Sequence, residues 1–201
     1  MPPARPMSTT PSHVRRARNE PVALHDYDPD WPRRFEQEAQ HLRSLLAHVQ
    51  LGRIVHFGST AVPGMVAKPI IDMLVEVPSL RTVQRDIAPV LESRGYEFFW
   101  RPSRHDDQDP AYTWFIKRDA SGRRTHHIHM LTADAPEWER LLLRDYLIAH
   151  PGAAAAYAAL KRQLVQAHHG DRIAYARAKS KFIEDTMRKA RRASSPPADR
   201  R

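Results

Sequence analysis

The chain has 201 residues, of which 41% are hydrophobic and 27% are charged. This length and composition fit one globular domain with a sizeable core. No stretch approaches the roughly 18 consecutive apolar residues of a membrane-spanning helix, and the first 20 residues lack the apolar segment of a secretion signal. Cysteine is absent, which excludes disulfides and thiolate metal sites. We therefore expect a cytoplasmic protein without a membrane partner.

The net charge of +9 is concentrated at the two ends of the sequence. Residues 1–20 carry four arginines against Glu20, and residues 188–201 carry six Arg and Lys against Asp199, which leaves about one positive charge for the 167 residues between them. Both ends show no hydrophobic period, so we predict disordered basic tails over 1–20 and 188–201 and one domain over 21–187. The tails are either solubilising or weakly attracted to nucleic acid, and we expect no specific nucleic-acid partner.

Helices and strands are predicted in mixed order along the domain. A helical period from Trp31 to Val49 follows the start signal Asp28-Pro29-Asp30. The further predicted elements are strands over 53–57 and 69–77, a helix over 79–94, a strand over 96–100, a hairpin of 111–117 with 124–131, and helices over 136–149, 152–168 and 171–190. This order predicts an α+β domain whose C-terminal third is helical.

The densest motif lies between the first two predicted strands, where Gly58, Ser59 and Thr60 follow the end of a strand. Glycine allows a close backbone approach and unusual dihedral angles. Two hydroxyl groups and the free N–H groups of a turn suit a phosphate ligand. The same residues also fit an ordinary junction between a strand and a turn, and the motif alone leaves both interpretations open.

Asp72 is an acid inside the otherwise apolar strand that follows this motif. Aspartate is disfavoured at central strand positions, and an unpaired buried carboxylate is costly. Asp72 is therefore either bonded structurally or binds a ligand, and its spacing does not decide between the two.

Together these residues resemble the signature of the GrpB-like family, which belongs to the nucleotidyltransferase fold of the DNA polymerase β type. The resemblance rests on His56–Gly64 and Lys68–Val77, covers about residues 21–187, and continues in Arg123–Met130, Arg144–Leu147 with His150-Pro151, and Tyr175–Ile183. It implies a mixed sheet with flanking helices and a relation to a domain fused to some dephospho-CoA kinases. It also implies a nucleoside triphosphate, a divalent metal and transfer to a small-molecule or protein acceptor.

The metal ligands implied by the resemblance are only partly present. Enzymes of this fold place two acids one residue apart on a strand, and here the second position is Leu74. Glu76 shares the face of Asp72 but lies roughly 13 Å further along the strand, so it is either a catalytic candidate or part of a structural salt bridge. His127 and His129 alternate on a later strand, about 7 Å apart, and with Asp72 they form a predicted carboxylate–imidazole site for Mg²⁺, Mn²⁺ or Zn²⁺.

Basic residues in the matched motifs are candidate phosphate ligands. Lys68, Arg144 and Lys179 lie within these motifs and join Gly58, Ser59 and Thr60 in the predicted phosphate site. Lys161 follows Tyr157 by four residues, as Lys179 follows Tyr175, so each pair shares one helix face. Most exposed basic residues only solvate a surface, and that alternative stays open for each of them.

The sequence supports two classes of function. The first is a metal-dependent nucleotidyltransferase that uses Asp72, with Glu76 as a further candidate, and the metal ligands His127 and His129. The second is a module that binds a nucleotide or a CoA-like ligand and lost transfer chemistry when the paired acid became Leu74. The sequence does not indicate the nucleotide, the acceptor or the oligomeric state.

Overall fold

The computed structural model describes residues 11–102, 110–168 and 170–194. Five strands and eight α-helices are found in this part of the chain. The strands are β1 (Ile54–Phe57), β2 (Ile71–Glu76), β3 (Glu97–Pro102), β4 (Pro110–Arg118) and β5 (Arg124–Leu131). The helices are α1 (Pro11–Asn19), α2 (Trp31–Leu45), α3 (Leu80–Thr82), α4 (Ala88–Glu92), α5 (Arg140–Ala149), α6 (Pro151–Ala167), α7 (Arg172–Ala178) and α8 (Ser180–Ser194).

The five strands form one mixed sheet in the order β1-β2-β5-β4-β3. β2 and β5 are parallel neighbours at its centre, and the other three pairs are antiparallel. β4 and β5 form the predicted hairpin, whose turn is closed by Asp119 Oδ1 accepting from the backbone N–H groups of Ser121 and Arg123. The predicted α+β fold, with a mixed sheet, flanking helices and a helical C-terminal third, is confirmed.

One face of the sheet packs the main hydrophobic core. Met73 and Val75 of β2 and Ile128 of β5 point to this face and are fully buried. They contact α2 and the helical segment 80–92 through a set of apolar side chains that includes Trp31, Phe35, Leu42, Val83, Ile87 and Leu91. The three- and four-residue spacing of these helical residues is the apolar stripe that the sequence predicts.

The opposite face carries the polar residues of the two central strands. Side chains alternate along a strand, so Asp72, His127 and His129 share this face with Leu74. Helices α5 to α8 lie over it, and a cavity remains between them and the sheet. The helical C-terminal third therefore covers the half-buried side chains of Asp72, His127 and His129.

The structure corrects the predicted boundaries of the two tails. Helix α1 lies within the segment 1–20, where Arg16 forms an ion pair with Glu97 at 3.3 Å and donates to the carbonyl oxygen of Gly122 at 3.0 Å. Helix α8 continues to Ser194, and its Ala190 is buried. Disorder is therefore wrong for 11–19 and 188–194, because composition does not register contacts with distant residues. Residues 1–10 and 195–201 lie outside the described ranges.

Three helices differ from their predicted extents. α2 ends at Leu45 rather than near Val49. The helix predicted over 79–94 contains a π-helical turn at Val83–Ile87, which ends two residues before Pro89, whose nitrogen cannot donate a helical hydrogen bond. The helix predicted over 171–190 is divided at Lys179 into α7 and α8. Within the described ranges, no helix combines the length and apolarity needed to cross a membrane.

Candidate active site

Asp72 and the two alternating histidines converge because β2 and β5 are parallel neighbours. Asp72 is the register partner of His127, and Leu74 is that of His129. Nδ1 of His127 lies 3.0 Å from Oδ1 of Asp72. One potential ligand atom from each of Asp72, His127 and His129 lies within 4.8 Å of the other two. The structure thus brings the three predicted metal ligands together, while their role stays a prediction.

Burial and hydrogen bonding determine the charges in this cluster. Burial favours the neutral form of Asp72, but the hydrogen bond from His127 and the nearby charge of Lys68 outweigh it and lower its pKa to about 2. Burial lowers the pKa of His129 to about 3 and also lowers that of His127. At neutral pH the cluster therefore combines a carboxylate with neutral imidazoles, and both are metal-ligating forms.

Tyr112 of β4 holds the ring of His129 from the neighbouring strand. Its hydroxyl lies 2.5 Å from Nδ1 of His129, and Nη1 of Arg140 on α5 donates to the same hydroxyl at 2.8 Å. The ring of Phe57 packs edge-on against His129 at 5.5 Å between centroids. Such partners fix the orientation of an imidazole ligand. Sequence reasoning missed Tyr112 and Arg140 because neither belongs to a recognisable motif.

Gly58 brings the turn after β1 directly against Asp72. Its φ of +74° lies in the region that favours glycine, and a Cβ there would lie 2.6 Å from Oδ2 of Asp72. The short 3₁₀ turn Ser59–Ala61 follows at once. Glycine is therefore required at this position both for its dihedral angles and for the close approach.

The two hydroxyl residues of the turn have different surroundings. Ser59 Oγ accepts a hydrogen bond from Nζ of Lys161 at 3.0 Å. Thr60 is buried, and its hydroxyl is 2.9 Å from Nε2 of His56 and donates to the carbonyl oxygen of Ile70 at 3.3 Å. The Thr60 hydroxyl thus stabilises the turn, whereas the Ser59 hydroxyl lies beside the ammonium group of Lys161.

A cavity of about 420 Å³ adjoins this turn and the cluster, a size typical of small-molecule sites. All six predicted phosphate-site residues, together with Asp72 and His129, line it. The other lining residues come from the end of β1, the segment before β2 and the helices α5 to α8: Phe57, Ala67, Ile70, Arg140, Leu143, Leu147, Tyr157, Lys161, Tyr175, Ile183 and Met187.

Three lysines form a cationic group at one side of the cavity. Burial lowers the pKa of Lys68 to about 7, reinforced by the charges of Arg172 and Lys179. Burial likewise lowers the pKa of Lys161 to about 7, with Lys179 and Arg162 adding to the effect. Within the described residues none of the three lysines forms an ion pair with a carboxylate. The charge of Asp72 favours the protonated forms of Lys68 and Lys179, but neighbouring cations oppose it, and a bound anion would relieve that repulsion.

Aromatic rings support two of these lysines. Nζ of Lys161 lies 4.6 Å from the ring centroid of Tyr157, and Nζ of Lys179 lies 4.8 Å from that of Tyr175. These are the two tyrosine–lysine pairs that the four-residue spacing indicates. Lys161, only 2% exposed, also donates to the carbonyl oxygen of Val66. The sequence therefore contained a signal for Lys161, although it falls outside the matched motifs.

Two predicted site residues, Arg144 and Glu76, are engaged in ion pairs. Arg144 is a predicted phosphate ligand, and Glu76 is a candidate catalytic acid. Arg144 lines the cavity, but it forms an ion pair with Asp145 at 2.7 Å and donates to the carbonyl oxygen of His56 at 2.7 Å. Glu76 does not line this cavity and pairs with Arg53 at 2.5 Å. This ion pair is the structural salt bridge that the sequence left open as the alternative, and a catalytic role for Glu76 stays a prediction that the geometry does not support.

Comparison with known proteins places this arrangement in a family. A crystal structure of the conserved protein GrpB from Enterococcus faecalis superposes with a TM-score of 0.74 at 32% identity, covering 85% of this chain and 98% of that one. The UPF0157 protein PA4798 of Pseudomonas aeruginosa is 40% identical over 173 residues, which are 85% of this chain and 68% of that protein.

The predicted relation to dephospho-CoA kinases is also found. The dephospho-CoA kinase of Mycolicibacterium paratuberculosis is 32% identical over 197 aligned residues, which cover 88% of this chain and 48% of that enzyme. The match therefore spans about half of that longer protein. The family model described as GrpB protein matches residues 21–189. Since this model covers most of the sequence, the chain belongs to the GrpB family.

Proposed function

We propose that this chain is a metal-dependent nucleotidyltransferase that moves a nucleotidyl group from a nucleoside triphosphate to a small-molecule or protein acceptor. One observation carries the proposal. The buried Lys161 and the half-buried Lys68 and Lys179, which form no ion pair with a carboxylate among the described residues, line the same cavity as Asp72 and His129 of the carboxylate–imidazole cluster.

The lysine side of the cavity suits the triphosphate. Its phosphates would lie at the Gly58 turn, where Ser59 offers a hydroxyl and the turn offers backbone N–H groups. Lys68, Lys161 and Lys179 would supply the positive charge. Burial is the main cause of the lowered lysine pKa values, and repulsion between the cations adds to it. A bound polyanion relieves that repulsion, so this side of the site gains more from an anion than isolated surface lysines do.

Asp72, His127 and His129 fit a divalent ion. Their ligand atoms lie within 4.8 Å of one another, and the set consists of one carboxylate and two imidazoles. Imidazole ligands favour Zn²⁺ or Mn²⁺ over Mg²⁺, which prefers oxygen ligands and retained waters. When bound, such an ion supplies positive charge close to the reacting phosphate.

The chain's own residues have separate tasks in the transfer. The acceptor hydroxyl or amine attacks the α-phosphorus, the new bond forms there, the bond from that phosphorus to pyrophosphate breaks, and the acceptor's proton is released to solvent. Lys68, Lys161 and Lys179 hold the negative charge of the departing pyrophosphate. Leu143 and Leu147 of α5 contribute apolar surface to the cavity wall, which suits the nucleoside.

One observation favours the second candidate function, a binding module without transfer activity. Leu74, at the position of the second acid, is completely buried and packs with Phe57 and Leu131. The strand thus offers apolar contact where related enzymes offer a carboxylate. A module of this kind would bind the nucleotide or a CoA-like ligand and release no pyrophosphate.

The test is a transfer assay on the purified full chain. Each of the common nucleoside triphosphates, labelled at the α-phosphate, is incubated with Mn²⁺, Zn²⁺ or Mg²⁺ and a low-molecular-weight cell extract as the source of acceptor. Pyrophosphate release, labelled products and nucleotide binding are measured in parallel. Asp72→Asn and Lys161→Gln are compared with Asp185→Asn, which removes a surface carboxylate of α8 instead.

The outcomes separate the two candidates. Metal-dependent pyrophosphate release that is lost in Asp72→Asn and kept in Asp185→Asn supports the transferase. Nucleotide binding that weakens in Lys161→Gln, without pyrophosphate release from any triphosphate, supports the binding module. If no triphosphate binds at all, the proposal is overturned.

A further inference from the structure

Arg140 is a cation of the cavity that stands apart from the three lysines. It projects from α5, and its Nη1 donates to the hydroxyl of Tyr112 at 2.8 Å. Its guanidinium carbon lies 5.9 Å from the ring centroid of Phe57 and 5.5 Å from that of Tyr112. These contacts hold the guanidinium on the His129 side of the cluster, whereas Lys161 contacts Ser59 on the turn.

The charge of Arg140 has no carboxylate partner within the described residues. Arg144, one turn further along α5, is paired with Asp145, and Arg53 is paired with Glu76. An arginine has five N–H donors, and the Tyr112 hydroxyl uses one of them. Arg140 thus brings to a cavity wall a planar fork of donors, most of which have no partner among the described residues. This geometry binds phosphate oxygens in pairs.

The positions of the two cationic groups match the two substrates of a transfer reaction. Asp72 and His129 of the cluster line the cavity that both groups share. Reaction in line requires the leaving group and the acceptor on opposite sides of the α-phosphorus. If the lysine side holds the triphosphate, the Arg140 side is left for the acceptor.

We propose that Arg140 is an anion site for the acceptor, so that the acceptor is a phosphorylated small molecule whose phosphate binds this guanidinium. The inference rests on the proposed function and specifies its acceptor. The rings of Phe57 and Tyr112 restrict the guanidinium, so little side-chain freedom is lost when the phosphate binds.

The test measures two ligands separately by isothermal titration calorimetry with Mn²⁺ present. A non-hydrolysable α,β-methylene triphosphate analogue is titrated into the full chain, and inorganic phosphate is then titrated with and without saturating analogue. We expect phosphate to bind beside the analogue, and Arg140→Gln to weaken phosphate by about tenfold or more with little change in analogue affinity. Arg140→Lys keeps the positive charge, so its phosphate affinity should fall less than that of Arg140→Gln.

Controls and contrary outcomes separate this inference from the proposed function. Arg85→Gln, which removes an exposed arginine of the helical segment 80–92 on the other face of the sheet, should leave both affinities unchanged. Acetate titrated in place of phosphate should bind more weakly, and equal binding would contradict a phosphate site. The inference is overturned if Arg140→Gln leaves phosphate affinity intact, or weakens the analogue as much as the phosphate. If the analogue does not bind, the proposed function fails, while the titration of phosphate alone still reports on Arg140.

Discussion

Asp72 and His127 face each other across the parallel strands β2 and β5, with Nδ1 of the imidazole 3.0 Å from Oδ1 of the carboxylate. The two residues are 55 positions apart in the sequence. Their contact joins the motif after β1 to the histidine pair of β5. The candidate active site is built around this contact.

Removing the carboxylate should abolish tight metal binding while the fold is kept. Asp72→Asn preserves the shape of the side chain but replaces a charged ligand by an amide, so we expect affinity for Zn²⁺ or Mn²⁺ to fall on the order of 100-fold. Direct metal titration measures the change, and circular dichroism checks the fold. His129→Ala should act in the same direction. Wild-type metal affinity in both variants would contradict the site.

Tyr112→Phe tests the residue that orients His129. The variant removes only the hydroxyl, so the ring packing is kept while Nδ1 of His129 and Nη1 of Arg140 both lose a partner. We expect metal affinity to fall by about 10-fold. Tyr146→Phe is the matched control, because Tyr146 stacks on His150 away from the cluster. Equal metal affinity in Tyr112→Phe and wild type would mean that this contact does not support the ligand.

Anion binding should take up protons. In the free protein the pKa values of Lys68 and Lys161 are lowered to about 7, first by burial and then by neighbouring cations. At pH 8 both are therefore mostly neutral, and a bound polyanion raises their pKa values again. We expect uptake on the order of one proton per analogue bound at pH 8, and an affinity that falls as pH rises above 7.

The uptake is measured by calorimetry in two buffers with different ionisation enthalpies. Lys161→Met should reduce it, because one of the two titrating lysines is removed. Proton release, or an uptake that is the same in Lys161→Met, would show that these lysines do not face the bound anion.

Leu74→Asp introduces the second acid that the family resemblance leads one to expect on this strand, but it should destabilise this protein. Leu74 is completely buried against Phe57 and Leu131, so a carboxylate there loses apolar contact and is poorly solvated. We expect the free energy of unfolding to fall by about 3 kcal/mol or more. Urea denaturation measures it, with the volume-conserving Leu74→Met as control. A stable Leu74→Asp protein with raised transfer activity would instead show that the strand still accepts the second acid.

The regular elements followed from patterns that act over a few residues. The apolar stripe of α2 and the hairpin of β4 and β5 were predictable because periodicity and turn residues are local. Alternation along a strand also predicted that His127 and His129 share one face of β5. It likewise defined the face of β2 that carries Asp72. The disorder predicted for 11–19 failed because Arg16 of α1 meets Glu97 and Gly122 across the fold.

The sequence by itself determined the α+β class, the family signature and the position of the glycine–hydroxyl turn after β1, since each follows from short stretches of chain. Only the tertiary structure decided that β5 pairs with β2, that Glu76 turns to Arg53, and that Tyr112 and Arg140 meet His129. The reason is physical. The strand face on which a side chain lies follows from alternation along that strand. The residues that the side chain contacts depend on which distant strands and helices pack together.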